Sequence, residues 1–325
     1  MYDFRYYDLK NRAQRMFIDI AANLSDEMFK GVYHDKKRHE PDLGEVIERA
    51  KEARCDQMIV LAGTLQDAEE CCTLCSKYDP ECKSLFTTVG FHPTRCLEAQ
   101  ALVGSESSSE ARVQDMHEKF SSFISTAGIE RVVAIGEFGL DYDRLHFCPA
   151  DVQKDFFKVQ LDVAAKIDLP LLLHLRNAFQ DFVSIYKERK TPSMIGVVHS
   201  FTGTVEEMKA LVDLGLYIGI NGCSLREAMH VVPHIPEDRI LLETDAPYCD
   251  IRPTHAAFRF LHSLELPKTV KPEKHVPNML VKGRNEPACI NQVAHAVAAI
   301  RGLSPTDLAQ IARANTLRLF RKLVR

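Results

Sequence analysis

Short aliphatic runs recur along the chain, and most of them end at a polar residue. The runs do not alternate with polar positions, which is typical of strands that are buried on both faces of a parallel sheet. The pattern predicts eight strands: Met16–Ile20, Met58–Leu61, Leu85–Val89, Val132–Ile135, Leu169–Leu173, Met194–Val198, Leu216–Ile220 and Ile240–Glu243.

Helical stretches separate these runs. The predicted helices are Asp42–Ala53, Leu65–Tyr78, Val113–Thr126, Val152–Lys166, Phe179–Lys187, Val205–Leu214 and Leu225–Val232, with closing helices within Cys289–Arg301, Pro305–Ala314 and Thr316–Leu323. Eight strand–helix units in unbroken alternation predict a single TIM-like (β/α)8 barrel, in the α/β class, rather than a doubly wound open sheet. No Gly-x-Gly-x-x-Gly motif follows the first run, so nothing indicates a dinucleotide-binding fold.

The length of 325 residues suits one large barrel. We expect a polar N-terminal arm over residues 1–15 and one barrel domain over residues 16–325. No apolar stretch is long enough to span a membrane, and the N-terminus lacks the features of a signal peptide. We therefore expect a cytoplasmic or nuclear protein, neither secreted nor in a membrane, whose ten cysteines are reduced thiols.

The net charge of −4 excludes a broad basic surface that binds nucleic acid non-specifically. It does not exclude a nuclease, because a bound metal and a few local cations can neutralise the phosphates that are held.

Four acidic or imidazole side chains stand at the ends of predicted strands. Glu137, His174, His199 and Asp245 would meet if the strands close into a barrel, because their C-terminal ends form one mouth. Two imidazoles and two carboxylates can hold a divalent metal. The sequence therefore predicts a metal-dependent hydrolase.

Neighbouring positions suggest further roles. Arg176 lies on the same strand face as His174 and could bind a phosphate or a carboxylate. Asp245 is nearer to the mouth than Glu243, so Asp245 is the better candidate for a metal ligand or general base, whereas Glu243 could pair with a basic residue at the barrel wall.

Three features of the mouth have two interpretations each. His92 precedes Pro93 and is either part of a rigid turn or a substrate contact, which we favour over a metal ligand. Asn221 could line the site or stabilise a turn. The lysine-rich loop Pro267–Glu286 could attract a polyanion over the mouth or be an ordinary solvated loop.

Six motifs occur in a recognisable order. They are Gly-x-His-Pro at Gly90–Pro93, Gly-Glu-x-Gly-Leu-Asp at Gly136–Asp141, His-x-Arg at His174–Arg176, His-Ser-Phe-x-Gly-Thr at His199–Thr204, Glu-Thr-Asp-Ala-Pro-Tyr at Glu243–Tyr248 and Arg-Asn-Glu-Pro at Arg284–Pro287. With these motifs the chain resembles the TatD family of metal-dependent deoxyribonucleases, and it is most similar to the eukaryotic branch. The resemblance extends from about Met16 to the last residue.

The resemblance implies an amidohydrolase-type barrel and a magnesium-supported nuclease that trims DNA from the 3′ end. It assigns four metal ligands: Glu137, His174, His199 and Asp245. It also implies that His92, Arg176 and Asn285 contact the phosphate or the adjoining nucleotides. In the expected mechanism Glu137, Asp245 and Arg176 are catalytic: Asp245 takes the proton of the attacking water, and Arg176 balances charge on the scissile phosphate.

One departure concerns the first strand. Many relatives carry Asp-x-His-x-His there, whereas this chain has Asp19-Ile20-Ala21-Ala22-Asn23. We therefore expect one firm metal site and a second that fills only with substrate. Mg²⁺ is the favoured ion, and Zn²⁺ or Mn²⁺ would also suit imidazole and carboxylate ligands.

Two other functions remain open. The same site could hydrolyse an ester or amide, such as the bond that joins a D-amino acid to tRNA. Alternatively, the barrel could be a non-catalytic scaffold that binds DNA or a protein. The sequence names no protein partner; DNA is the expected substrate.

Overall fold

Eight parallel strands are hydrogen-bonded side by side in the order in which they occur in the chain. The computed structural model describes residues 16–104 and 108–324, so the predicted N-terminal arm, residues 1–15, lies outside the described residues. The strands are β1 Phe17–Ala22, β2 Cys55–Val60, β3 Leu85–Val89, β4 Val132–Asp141, β5 Leu171–Arg176, β6 Gly196–Val198, β7 Tyr217–Ile220 and β8 Ile240–Leu242.

Helices connect successive strands and form the outer layer. They are α1 Leu43–Glu52, α2 Leu65–Tyr78, α3 Cys96–Val103, α4 Ser109–Ala127, α5 Ala150–Ala164, α6 Phe179–Arg189, α7 Val205–Asp213, α8 Gly222–Glu227, α9 Ile290–Arg301 and α10 Pro305–Leu319. This arrangement confirms the predicted (β/α)8 barrel. No helix in the described part of the chain is long and apolar enough to cross a membrane.

The barrel closes where β1 meets the segment after β8. Ala22 and Ala246 form a parallel bridge, and the backbone N–H of Asp245 donates to the oxygen of Ala21 at 2.8 Å. Below them, a carboxylate oxygen of Asp19 accepts the N–H of Thr244 at 2.9 Å. These bonds bring the ends of the first and last strands to the same mouth.

Alternate strand residues fill two separate apolar layers. Ile18, Ile59, Phe86 and Leu172 belong to a cluster inside the barrel, whereas their strand neighbours pack outward against the helices. Because both faces of each strand are buried, the strand sequences are mostly apolar. Phe320, just after α10, belongs to the inner cluster and helps to fill the barrel interior.

Several element boundaries differ from those predicted. Strand β4 continues to Asp141, and α10 is one helix where two were expected. The helix predicted at Leu225–Val232 begins earlier, because the side chain of Asn221 caps it directly after β7. Helix α3 had no clear amphipathic pattern in the sequence.

Two insertions pack together beside the barrel. A hairpin pairs Val32–Tyr33 with Lys36–Lys37, and a second two-stranded sheet pairs Thr269–Val270 with Leu280–Val281. Their contact includes an Arg38–Glu273 ion pair at 3.3 Å and stacked rings of His39 and His275, 4.3 Å apart. The lysine-rich loop therefore rests on the segment that follows β1.

The expectation that all cysteines are free thiols was wrong. Cys223 and Cys249 form a disulfide, with their Cα atoms 4.9 Å apart. Cys223 lies in the first turn of α8, directly after β7, and Cys249 lies in the segment after β8. These strands are neighbours in the barrel, so a pair that is distant in sequence becomes adjacent in space. Cys72 and Cys75 have the C-x-x-C spacing of some metal sites, but both lie on α2. Among the described residues, no group of side chains that could hold a metal ion includes a cysteine.

Candidate metal centre

Three side chains from neighbouring strands converge inside the mouth of the barrel. Oε1 of Glu137 lies 2.7 Å from Nδ1 of His174 and 2.6 Å from Nε2 of His199, and these two nitrogens are 3.3 Å apart. All three residues are buried. One carboxylate oxygen and two imidazole nitrogens thus face the same small volume, and this is a donor set for a divalent metal.

The glycines beside Glu137 let β4 run very close to β5. A Cβ on Gly136 would stand 2.4 Å from the backbone oxygen of Leu172, and one on Gly139 would stand 2.0 Å from that of His174. Both glycines also have positive φ, +153° and +150°. A larger residue at either position would separate the strands and move Glu137 away from His174.

Asp141 fixes the orientation of His174. Its Oδ2 lies 3.1 Å from Nε2 of His174, which leaves Nδ1 to face Glu137. A carboxylate behind a ligating imidazole sets the tautomer and makes the imidazole a better donor. Asp141 was not among the predicted site residues, although its position at the end of the Gly-Glu-x-Gly-Leu-Asp motif was a signal for a role in the site.

His199 has an acidic neighbour on its other side. Oε1 of Glu243 lies 3.6 Å from Nδ1 of His199 and accepts hydrogen bonds from the N–H of Ser200 at 2.6 Å and from Nδ2 of Asn221 at 3.0 Å. Glu243 therefore has a basic partner at the barrel wall. Asn221 caps α8, as expected of a residue that stabilises a turn, and it also supports Glu243 behind His199.

Asp245 stands beside the three converging donors. Its Oδ1 accepts a hydrogen bond from Nδ2 of Asn23 at 2.9 Å. Desolvation raises the pKa of Asp245 to about 7; the charge of His199 opposes this shift, and the negative charge of Glu137 adds to it. Asp245 is therefore close enough for both charges to change its pKa, although it is not one of the three residues whose donor atoms converge.

His92 lies above the three donors. Its Nε2 is 3.6 Å from Oε1 of Glu137, and its ring meets the ring of His174 edge-on at 4.7 Å. The other nitrogen, Nδ1, accepts the N–H of Thr94 at 3.2 Å. Burial is the main reason that the pKa of His92 falls to about 3, so this imidazole is neutral at physiological pH.

Arg176 and Asn285 occupy different surroundings. Nη1 of Arg176 lies 3.7 Å from a carboxylate oxygen of Glu227, and about a quarter (24%) of the Arg176 side chain is exposed. The amide of Asn285 is buried and donates to the backbone oxygens of Thr244 at 3.0 Å and Tyr248 at 2.8 Å. Asn285 thus holds the loop that carries Asp245, and its predicted contact with substrate stays a prediction.

The three donors form an ionic cluster when no metal is bound. Burial opposes ionisation, but the charge of His199 and the hydrogen bonds of His174 and His199 hold the pKa of Glu137 well below its ordinary value. Burial alone would lower the pKa of each donor histidine. Hydrogen bonds to Asp141 and Glu137 raise the pKa of His174 overall. The charges of Glu137 and Glu243 raise that of His199 well above its ordinary value.

The geometry fits a bound divalent ion. The three donor atoms belong to buried side chains and lie within 3.3 Å of one another, and a carboxylate oxygen with two imidazole nitrogens is a donor set that would hold such an ion. A second cluster, His39, Asp42 and His275, is less suited, because Arg284 already donates to both carboxylate oxygens of Asp42 at 2.6 Å.

The family model for TatD-related DNase matches residues 18–321. This chain belongs to that family. The deoxyribonuclease Tat-D of Schizosaccharomyces pombe is 41% identical over 94% of this chain and 96% of its own length. The 3′-5′ ssDNA/RNA exonuclease TatD of a Rahnella strain is 33% identical over 93% of this chain and 97% of its own.

Solved structures agree with this membership. A TatD-family hydrolase from Entamoeba histolytica superposes with a TM-score of 0.85 at 34% identity, covering 94% of this chain and 98% of the other. This protein is thus a hydrolase of the TatD deoxyribonuclease family with an amidohydrolase-type barrel. Its candidate metal-binding cluster lies at the mouth of that barrel.

Proposed function

We propose that this TatD-family protein is a divalent-metal-dependent deoxyribonuclease that removes nucleotides from the 3′ end of DNA. The observation that carries this proposal is the convergence of Glu137, His174 and His199 within 3.3 Å of one another at the mouth of a hydrolase barrel. The named activities of relatives supply the substrate class: the fission-yeast protein is a deoxyribonuclease, and the bacterial one is a 3′-5′ ssDNA/RNA exonuclease.

Glu137, His174 and His199 would hold the ion, with Asp245 as a fourth ligand. When bound, a divalent metal lowers the pKa of water and polarises the scissile phosphate. Magnesium is the ion that we favour, with manganese or zinc as alternatives for the same donor set.

The first strand supports one firm metal site rather than two. Both oxygens of Asp19 are occupied by Thr244, and Oδ1 also accepts the N–H of Ala21 at 3.2 Å. The amide of Asn23 is committed to Asp245. This bond uses the nitrogen of the Asn23 amide, so the end of the first strand offers only a weak oxygen ligand, the amide oxygen of Asn23, and a second ion would depend on oxygens of the substrate.

Asp245 is the proposed acceptor of the proton that leaves the attacking water. Its raised pKa makes it a stronger base than an ordinary carboxylate, and Asn23 fixes one of its oxygens. Neutral His92 lies next to Glu137 and can donate a hydrogen bond to a phosphate oxygen. Arg176 would balance charge on that phosphate.

We also propose that the protein acts in the cytosol or the nucleus, which imaging of a fluorescent fusion would test.

The test compares substrates in parallel. Single-stranded DNA, D-aminoacyl-tRNA and a small carboxylic ester are incubated with the protein in Mg²⁺, Mn²⁺ or Zn²⁺, and again with EDTA. We expect metal-dependent release of nucleotides, no release of amino acid, and loss of activity in Glu137→Gln. Glu81→Gln, the same change at an exposed residue, is the matched control, and we expect it to leave activity unchanged. Hydrolysis of the tRNA ester alone, or DNA binding that EDTA does not affect and that leads to no cleavage, would reject the proposal.

A further inference from the structure

The loop between β4 and α5 carries side chains that the mechanism does not use. This rim loop, residues 142–147, presents Arg144, Leu145, His146 and Phe147 at its surface. Phe147 is 59% exposed and Leu145 is 42% exposed. Large aromatic side chains are usually buried, so one that is mostly exposed beside a candidate active site indicates a surface that binds a ligand.

The loop is held firmly at its base. Buried Gln153 accepts the N–H of Asp141 at 2.8 Å and donates to the backbone oxygens of Asp141 and Cys148, each at 2.9 Å. Gln153 therefore ties together the two residues that flank the loop. Tyr142 adds a hydrogen bond from its hydroxyl to Asp181 at 2.5 Å. The exposed tip is preorganised, which lowers the entropic cost of binding to it.

The rim loop begins at the metal centre. Asp141, which orients His174, also lies 3.5 Å from Nη1 of Arg144. Over half (55%) of the Arg144 side chain remains exposed, so its guanidinium is accessible at the rim of the site.

The exposed groups match the parts of an unpaired nucleotide. Phe147 and His146 place their ring centroids 4.2 Å apart and form a small aromatic surface. Aromatic side chains stack on any unpaired base, and an arginine beside them can bind the adjoining phosphate. A base inside a duplex has both faces covered by its neighbours, so this surface fits a single strand.

We propose that the rim loop is a subsite for an unpaired nucleotide, in which Phe147 stacks on a base and Arg144 binds a neighbouring phosphate. The inference deepens the proposed function, on which it rests for the substrate class. It makes the rim loop a determinant of the preference for single-stranded ends, separate from the groups that perform hydrolysis.

The test measures binding with magnesium present. The probe is a fluorescein-labelled oligo(dT) with phosphorothioate linkages, which resist cleavage, and its anisotropy is followed during titration. We expect Phe147→Ala to weaken binding about tenfold, in the range of one lost base stack, and Phe147→Trp to restore it. Ile129→Ala, a change at a 63% exposed residue in the turn before β4, is the matched control and binds as the wild type does.

A second probe separates stacking from damage to the loop. On an abasic strand of the same length, Phe147→Ala should bind no more weakly than the wild type, because no base is present to stack. Arg144→Ala should weaken binding to both strands and flatten the salt dependence by about 0.7 in the logarithmic slope, as expected for one phosphate contact on a single strand.

Each outcome decides one proposal. Equal loss on normal and abasic strands, no loss in Phe147→Ala, or a wild type that binds neither strand would overturn the subsite. Cleavage of an ordinary oligonucleotide is assayed separately. If Phe147→Ala loses binding only on the strand with bases, but the wild type never cleaves DNA, the proposed nuclease is rejected and the subsite is retained. If the wild type cleaves DNA and Phe147→Ala binds as the wild type does, the nuclease is retained and the subsite is rejected.

Discussion

Asn23 donates a hydrogen bond from its side-chain amide to Oδ1 of Asp245 at 2.9 Å, and so joins the end of the first strand to the segment after the last. Where the resemblance leads one to expect a second histidine on the first strand, this chain has a residue that orients a carboxylate. The bond also favours the ionised form of Asp245, because it opposes the burial that leaves the pKa raised at about 7.

Removing this amide should impair catalysis more than metal binding. In Asn23→Ala, Asp245 loses a hydrogen bond to its charged form, an interaction of about 1.5–3 kcal/mol, and we expect kcat to fall about tenfold or more. Its pKa should rise further, so the acidic limb of the pH–kcat/KM profile should shift to higher pH. An unchanged profile in the variant would show that Asn23 does not position Asp245.

The ligand roles of His174 and Asp245 should separate under substitution. His174→Ala removes one of three converging donors, so we expect both turnover and metal affinity to be lost. Asp245→Asn keeps an oxygen donor but removes the base, so turnover should be lost while much of the metal affinity remains. Calorimetric titration with Mn²⁺, beside initial rates of DNA cleavage, distinguishes the two variants. Undiminished hydrolysis in both would contradict the assignment.

Metal affinity should weaken as the pH falls. Without metal, the pKa values of His174 and His199 are raised above their ordinary value, so protons compete with the ion even near neutral pH. Above these raised pKa values the imidazoles are neutral and the competition ends. Titrations in buffers of different ionisation enthalpy should reveal proton release on binding. Affinity that is flat with pH, and no proton release, would be incompatible with imidazole ligands.

A buried charge network should make a large contribution to stability. Arg284 is fully buried and donates to Asp42 at 2.6 Å and to Glu286 at 2.9 Å. Arg284→Ala leaves two buried carboxylates without this partner, and we expect the free energy of unfolding to fall by about 3–5 kcal/mol. Arg38→Ala, which breaks the more exposed pair with Glu273, should cost less than about 1 kcal/mol. Urea denaturation measures both variants.

The same network gives stability a pH dependence. Burial opposes ionisation of Asp42, but the hydrogen bond and charge of Arg284 lower its pKa overall. Asp42 therefore contributes stability above the pKa of an unfolded aspartate, and this contribution is lost as the pH falls through the lower folded value. The loss of stability on acidification should be smaller in Arg284→Ala. Parallel curves for wild type and variant would rule out this coupling.

The sequence predicted the barrel because its strands are apolar on both faces and alternate with helices. It also predicted that Glu137, His174 and His199 come together, since parallel strands end on one side. The supporting contacts were not predictable in this way. Asp141 contacts His174 through the register between β4 and β5, and Cys223 reaches Cys249 only because β7 and β8 are neighbours. The exposure of Phe147 likewise depends on how Gln153 ties the rim loop.

The most direct measurement is the order in which labels leave a single strand of DNA. A strand labelled at either its 3′ or its 5′ end is digested with magnesium and sampled over time, alongside Glu137→Gln. A metal-dependent 3′ exonuclease releases the 3′ label first, as mononucleotide, while the 5′-labelled strand shortens stepwise, and the variant is inactive. Early release of the 5′ label, internal cuts from the first time point, or cleavage by the variant would contradict it.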